Sequence, residues 1–313
     1  MTVRITRLAP SPTGALHLGN ARTFLVNWAL ARRQGWTIRM RIEDLDGPRV
    51  RPDAAEDVLD ILRWLGLDWD GDVLHQTTDL APYVEAMRRL AAAGCAYPCA
   101  ATRREIEQAA SAPHAGEHEL RYPPALRPDL DRPHPFDAPD TNYRFVVPDE
   151  SIVVDDAFAG RTTHRPYDEI GDFVIWTKRG APSYQLAVVV DDLRQGVTDV
   201  VRGDDLLPSA ARQALLYRAL GAVEPRWCHL PLVIGEDGRR LAKRHGDTRV
   251  ETYRASGVSA DRLIGLLACW SGIVSAPEPM TATTFRDAFR LDRVPTTPII
   301  YRSTDHAWLL GTS

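Results

Sequence analysis

The sequence predicts an α/β fold on a parallel sheet, and three observations carry that expectation. Strand-like and helix-like segments alternate through the first hundred residues, in the order that βαβ units require. A turn rich in proline and glycine, APSPTG, separates the first strand from the first helix, where open parallel sheets receive ligands. Further on, YQLAVVVDD (Tyr184 to Asp192) is an unbroken apolar run that predicts a central buried strand.

The elements follow in order. VRITRLA (Val3 to Ala9) reads as a strand, and from Ala21 the residues Phe24, Leu25 and Trp28 fall at helical spacing until Gly35 supplies a stop. TIRMRI (Thr37 to Ile42) is a second strand, and Pro52 opens a helix with Val58, Leu59, Leu62 and Leu65 on one stripe. A third helix is expected from near Pro82 to Gly94. From Ser111 to Asp140 the text is dense in Pro, His and charge and reads as an insertion or linker. Regular structure resumes with FVIW (Phe173 to Trp176). A helix is expected from about Pro208 to Gly221, then an apolar strand in HLPLVIGEDG entering a turn at Asp237 and Gly238. From Arg249 the text is helical through LIGLLACW, and after Pro277 it is weakly patterned.

Composition narrows the function classes. At 313 residues, 44% hydrophobic and 26% charged, the chain has the make-up of a soluble globular protein of about two domains. No apolar run approaches a membrane span, and the start lacks a signal-peptide pattern, so the expected compartment is the cytoplasm, without membrane contact. Four cysteines at irregular spacing make no disulfide framework. A net charge of -4 leaves nucleic-acid contact to a local basic face. Of 38 basic residues only Lys178 and Lys243 are lysine, which singles out both positions.

The stretch RLAPSPTGALHLGN (Arg7 to Asn20) lies at the first strand-to-helix turn. Pro10 and Pro12 stiffen the turn, and Gly14 lets the backbone approach a ligand. His17 and Gly19 stand at the helix mouth, where free amides and the helix dipole attract phosphate. A histidine at such a place reads equally well as a plain cap, and this motif alone leaves both readings open.

The wider text settles more. RLAPSPTGALHLGNAR resembles the HIGH region of class I aminoacyl-tRNA synthetases, and of their glutamyl branch in particular. RIEDLD (Arg41 to Asp46), YQLAVVVDD, TDVVRGDDLL (Thr198 to Leu207) and LAKRHGDTRV (Leu241 to Val250) resemble further segments of that branch, in the same order. The resemblance implies a Rossmann-type catalytic core with an inserted subdomain and a short helical C-terminal region like a stem-contact piece. The implied division is 1–97 first half of the core, 98–170 connective insertion, 171–248 second half with the KMSKS-like loop, and 249–313 C-terminal helices. About 70 residues follow Lys243, too few for an anticodon-binding domain. This points to the truncated branch that activates glutamate without tRNA and attaches it to queuosine at the first anticodon position of tRNA(Asp). A reduced synthetase charging the 3' end of tRNA(Glu), and a non-catalytic nucleotide- or tRNA-binding paralogue, stay open at this point.

By the same resemblance, His17 and Lys243 are the expected catalytic residues, and His17, Gly19, Asn20 and Lys243 contact ATP, which enters with Mg2+. Arg7, Ser11, Glu43, Tyr184 and Arg202 are the expected glutamate pocket, arginine suiting a carboxylate by its planar fork. Asp191 and Asp192 have two open readings, structural or ribose-facing. The loop departs from the branch's usual KLSKR text, reading Arg240, Leu241, Ala242, Lys243, Arg244, so a serine hydrogen bond is lost while the second lysine stays. Relatives in this subfamily often hold zinc through a CxC pair, a tyrosine and another cysteine. Here only Cys99 and Tyr122 remain, too few for tetrahedral zinc, and His114, His118 and His134 fit no standard spacing, so no metal is expected. Arg103, Arg104, Lys178, Arg179, Arg239 and Arg244 are candidates for tRNA phosphate contacts, each equally readable as solvated surface. The chain is expected to act as a monomer.

Overall fold

The structure is a computed structural model that describes residues 3–12, 16–45, 53–102, 104–106, 121–239, 241 and 247–312. β1 (Ile5–Leu8), β2 (Thr37–Ile42) and β3 (Val73–His75) form a parallel sheet in the order β1-β2-β3. The helices α1 (Leu18–Gln34) and α2 (Ala54–Trp64) are the crossovers between them. α1 ends where Gly35 adopts a φ of 69°, a left-handed conformation that favours glycine, and Trp36 then donates back to the Ala31 carbonyl. α3 (Ala81–Ala92) begins with Pro82 in its first turn and gives way at Gly94.

Beside β1 lies a strand from later in the chain, β10 (Asp199–Gly203). The remaining strands between them in the chain are β4 (Ala96–Cys99), β5 (Asn142–Phe145), β6 (Ile152–Asp156), β7 (Gly160–His164), β8 (Val174–Thr177) and β9 (Ala181–Pro182). β10 (Asp199–Gly203) pairs in parallel with β11 (Arg226–Leu230). The β1 and β10 edges are stitched by the Thr198 amide on the Ile5 carbonyl at 2.8 Å and by the Arg4 and Asp199 ion pair. Strand order therefore runs outward in both directions from β1 and β10, and the opening between them is the switch point where such sheets bind ligands.

One expectation fails here. The run Tyr184 to Asp192 is not a strand but most of a helix, α4 (Tyr184–Arg194). Leu186 to Val190 are all buried because the helix is enclosed on every side, and an apolar run of that length has no periodicity to separate strand from buried helix. The β-branched valines weighted the reading toward strand. α5 (Leu207–Ala219) follows β10 and packs on α4.

β4, β5, β8 and β9 form a separate antiparallel sheet, in that order. Its strands come from either side of residues 97/98 and 170/171, whereas the hairpin β6-β7 extends the core sheet through Asp156 opposite Trp227. The weakly patterned end of the chain folds back on the core. After α6 (Val250–Ala255) and α7 (Ala260–Trp270), α8 (Ala282–Ala288) carries Phe285, and the residue that ends it is Phe289, both at zero exposure. The strand β13 (Ile299–Ile300) then pairs in parallel with β12 (Val233–Ile234), and α9 (Ser303–Leu310) closes the chain against α7.

Candidate active site

The sequence-predicted residues converge on a cleft of about 520 Å³ at the switch point. It is lined by Arg7 from β1, Ser11 from the following turn, His17 and Asn20 at the start of α1, Glu43 after β2, Tyr184 at the start of α4 and Arg202 on β10. The turn is fixed locally: the Glu43 amide donates to the Pro10 carbonyl at 3.0 Å, tying the end of β2 to the segment after β1. Asn27, one face down α1, donates to the Arg7 carbonyl and accepts from Thr6 Oγ1, so helix and strand hold one register.

His17 is the N-cap residue of α1, with extended backbone and no side-chain cap bond. Its Nδ1 instead lies 2.9 Å from Thr248 Oγ1, and the Leu18 amide donates to the Thr248 carbonyl while the Val250 amide donates to that of Leu16. The helix mouth is thereby laced to the chain a few residues beyond Lys243. Lys243 itself, with Arg240, Ala242 and Arg244, lies outside the described residues, as do Pro52, Gly14, Arg103, His114 and His118.

Gly19 does not line the cleft: it faces Val233, whose side chain a Cβ built on Gly19 would meet at 3.4 Å, an ordinary contact. Asp191 and Asp192 are also absent from the lining and are buried in the last turn of α4. Asp191 accepts from Gln76, Tyr83 and Arg194, a framework role. Asp192 accepts from Arg41 at 2.7 Å and lies 3.4 Å from Arg7 Nε, so it supports the cleft from below. None of Arg104, Lys178, Arg179 and Arg239 lines the cleft.

The electrostatics divide the site. Burial would strip Arg41 of its proton more readily, but Asp192, Glu43 and Asp191 outweigh that and hold the guanidinium above its ordinary range. Burial pushes the Glu43 carboxyl up, while Arg41 and Arg7 pull it back. Arg202 differs in kind. Its Nε donates to His229 Nε2 at 2.9 Å, Nη1 to Gln213 Oε1 at 2.9 Å and Nη2 to the Leu206 carbonyl at 3.3 Å. Each of these partners carries no negative charge, and burial with the nearby Arg7 lowers the guanidinium's proton affinity. The cleft thus contains a buried cation whose hydrogen-bond partners among the described residues do not neutralise it.

Sequence reasoning passed over several lining residues: Gly203, Asp205, Leu206 and Leu232, with Thr23 and Phe24 on α1. The first three stand in the RGDDLL text directly after Arg202, and the signal was available: a strand-to-helix turn at the same sheet end as the first one. Gly203 gives these side chains room, since a Cβ would fall 2.7 Å from Asp205 Oδ1 and 2.9 Å from Leu232 Cδ2 and both tips would have to move.

The zinc-type site holds a different cation. Cys99 Sγ and Tyr122 Oη are 3.4 Å apart, Arg144 Nε donates to Cys99 Sγ at 3.3 Å, and its guanidinium stacks 3.9 Å over the Tyr122 ring. Two donors facing an arginine do not fit zinc. Among the described residues no group of three or more His, Cys, Asp or Glu is placed to hold a metal, and His134 is engaged with the Asp129 carbonyl.

Comparison with known proteins identifies the family. The family model described as tRNA synthetases class I (E and Q), catalytic domain, matches residues 2–294. The chain belongs to that family. It is 46% identical over 305 residues to a protein of Symbiobacterium thermophilum named Glutamyl-Q tRNA(Asp) synthetase, covering 94% of each. It is 41% identical over 295 residues to Glutamate--tRNA ligase 2 of Roseobacter denitrificans, covering 94% of this chain and 63% of that one. In fold it is similar to the crystal structure of glutamate-tRNA synthetase from Elizabethkingia anophelis, with a TM-score of 0.80 at 24% identity, over 98% of this chain and 70% of that one. The chain is thus a class I synthetase catalytic fold and a ligase-type enzyme by family. Among its described residues no helix is long and apolar enough to cross a membrane.

Proposed function

We propose that this protein activates L-glutamate with ATP, without need of tRNA, and transfers the glutamyl group to queuosine at the first anticodon position of tRNA(Asp). The observation that carries the amino-acid assignment is Arg202, a buried guanidinium at 6% exposure whose hydrogen-bond partners among the described residues are all neutral, opening on a cleft that also contains a carboxylate, Glu43. An uncompensated buried charge is costly, so such a site favours a ligand that brings the opposite charge. Glutamate meets both demands. Its side-chain carboxylate pairs with Arg202, and its α-ammonium pairs with Glu43, with Arg7, Ser11 and Tyr184 around the rest of the molecule.

In activation, an α-carboxylate oxygen attacks the α-phosphorus of ATP, forming a mixed anhydride as the bond to pyrophosphate breaks. ATP enters as its Mg2+ complex, which screens the phosphate charge. The work of the protein is positioning and charge stabilisation. The amides at the mouth of α1 and His17 face the phosphates, Asn20 and Asp205 border the nucleotide half of the cleft, and Lys243 meets charge on the departing pyrophosphate. In transfer, a queuosine hydroxyl attacks the acyl carbon and AMP leaves. The likeness over almost the full length of both chains to a protein named for queuosine-tRNA(Asp) glutamylation supports this acceptor. The chain is proposed to act as a monomer in the cytoplasm.

The test is exchange of labelled pyrophosphate into ATP with glutamate alone, followed by transfer of labelled glutamate to tRNA(Asp) containing queuosine and to tRNA(Glu). Exchange without tRNA and label on the anticodon nucleoside of tRNA(Asp) are expected. Label at the 3' end of tRNA(Glu) would overturn the acceptor, and exchange supported by a different amino acid would overturn the substrate.

A further inference from the structure

Behind Arg202 is a buried pair outside the cleft lining. His229 on β11 is the register partner of Arg202 on β10, and its side chain has zero exposure. Its Nδ1 lies 2.6 Å from Asp156 Oδ2, and its Nε2 receives the Arg202 Nε–H at 2.9 Å. Asp156 is itself saturated with donors: the amides of Phe158, Ala159 and His229 all point to it. A carboxyl held by that many N–H groups is an acceptor only, so the proton between it and Nδ1 belongs to the imidazole. Guanidinium never accepts, so Nε2 must offer a lone pair. Both ends impose the same answer: His229 is neutral, with its proton on Nδ1.

Resting on the glutamate reading above, we propose that His229 is a positioning residue that determines specificity for an acidic side chain: it holds Arg202 through a neutral nitrogen and keeps the Asp156 carboxylate one ring away. A carboxylate directly on Arg202 would form an internal ion pair and remove the charge a substrate carboxylate needs. A donor at the same point would repel the Nε–H and turn the fork. The imidazole does neither, and it fixes the guanidinium plane with Gln213 and the Leu206 carbonyl as the other supports. The Trp227 ring stacks on His229 and lies beneath Arg202 at 5.0 Å, completing a rigid backing. The charged groups facing the imidazole are Asp156 from β6, Arg202 from β10 and Arg7 from β1, with Tyr217 of α5 behind Trp227.

The experiment uses the full chain and pyrophosphate exchange, with KM measured separately for glutamate and ATP at several pH values in wild type, His229→Gln and His229→Leu. Glutamine amide can accept from Arg202 and donate to Asp156, whereas leucine can do neither. Expected for His229→Leu is a glutamate KM raised roughly 10- to 100-fold, the loss of a charge-assisted hydrogen bond, with ATP KM unchanged and glutamine used better relative to glutamate. His229→Gln should retain most of the glutamate affinity. In wild type, glutamate KM should rise on acidification while ATP KM does not, and this limb should move to lower pH in His229→Gln. Should the leucine variant fail to fold, the comparison of wild type and His229→Gln across pH decides. An unchanged glutamate KM in His229→Leu, a parallel rise in both KM values, or identical acid limbs in wild type and His229→Gln would overturn the proposal. Lack of glutamate-dependent exchange in the wild type is a separate outcome, which overturns the functional reading itself.

Discussion

Arg41 Nη1 and Asp192 Oδ1 stand 2.7 Å apart at 0% and 2% side-chain exposure, an ion pair closed off from solvent directly under the cleft. Arg7 Nε lies 3.4 Å from the same oxygen. Asp192→Asn keeps the shape but leaves two buried guanidinium groups short of a counter-charge. The expected cost is about 3–5 kcal/mol of folding stability, because breaking one member of a buried pair strands the other. Urea unfolding of the variant measures it, and a midpoint equal to wild type would contradict the pair's structural role.

Arg202→Gln should act in the opposite sense on stability and on binding. Removing a buried cation with neutral partners relieves desolvation, so thermal stability should hold or rise. The glutamate KM should rise by roughly 100-fold, with ATP KM little changed, as expected for losing a charge-assisted contact of about 3 kcal/mol. Thermal unfolding and pyrophosphate exchange on the same preparation check both halves.

The pH dependence of stability follows from His229 and Asp156. Burial, reinforced by Arg202 and Arg7, depresses the His229 pKa below its ordinary value of 6.5 despite Asp156. Below pH 6.5 the unfolded chain therefore takes up a proton that the folded chain refuses, and stability falls with acid until the lower folded pKa is reached. Burial would raise the Asp156 carboxyl, but His229 and the surrounding amides carry it below 3.8, so its own contribution is present above that value and lost under it. Melting temperatures of wild type and His229→Gln between pH 5 and pH 8 should diverge below pH 6.5, with the wild type showing the steeper loss.

Gly265 on α7 is a packing constraint on the end of the chain. A Cβ there would fall 1.9 Å from the Glu278 carbonyl oxygen, which is backbone and cannot swing aside. Gly265→Ala should cost about 3 kcal/mol through overpacking and loosen the segment after Pro277. Limited proteolysis in that segment, compared with wild type, reports whether the damage is local to it.

Chelation should leave the protein unchanged. The Arg144 guanidinium already sits against Cys99 and Tyr122, so treatment with a strong chelator is expected to shift neither the melting temperature nor exchange measured afterwards with fresh Mg2+. One equivalent of zinc per chain in purified protein would refute this.

Much of the fold was legible because its signals are local. The strands around Arg7 and Arg41 alternate with helices whose stops are glycines, and each of those features is a short-range property of the chain. The cleft residues could be named because the text around them resembles that of a known family; most sit near the ends of strands, but the turns alone left their roles open. The helix beginning at Tyr184 was not legible as a helix, since burial on every side erases the polar face that periodicity needs. His229 and Asp156 left no trace: they are single residues, separated in sequence, joined only when the β6-β7 hairpin is set against β11. The strand at Ile299–Ile300 is two residues long and follows prolines, which gives pattern recognition nothing to count.

The pairing of β13 with β12 has a consequence for how the enzyme is made. β12 precedes Lys243 in the chain, and its edge is covered by the Ile299 and Tyr301 amides, which donate to the Leu232 and Ile234 carbonyls. Those amides emerge from the ribosome long after the cleft residues have been synthesised, while folding proceeds from the first-made end. The strand beside the cleft is therefore covered by a stretch of chain made after every described cleft residue. A nascent chain that has every residue of the cleft still has an open strand beside it, and a message cut short before codon 299 yields an exposed edge instead of a smaller enzyme.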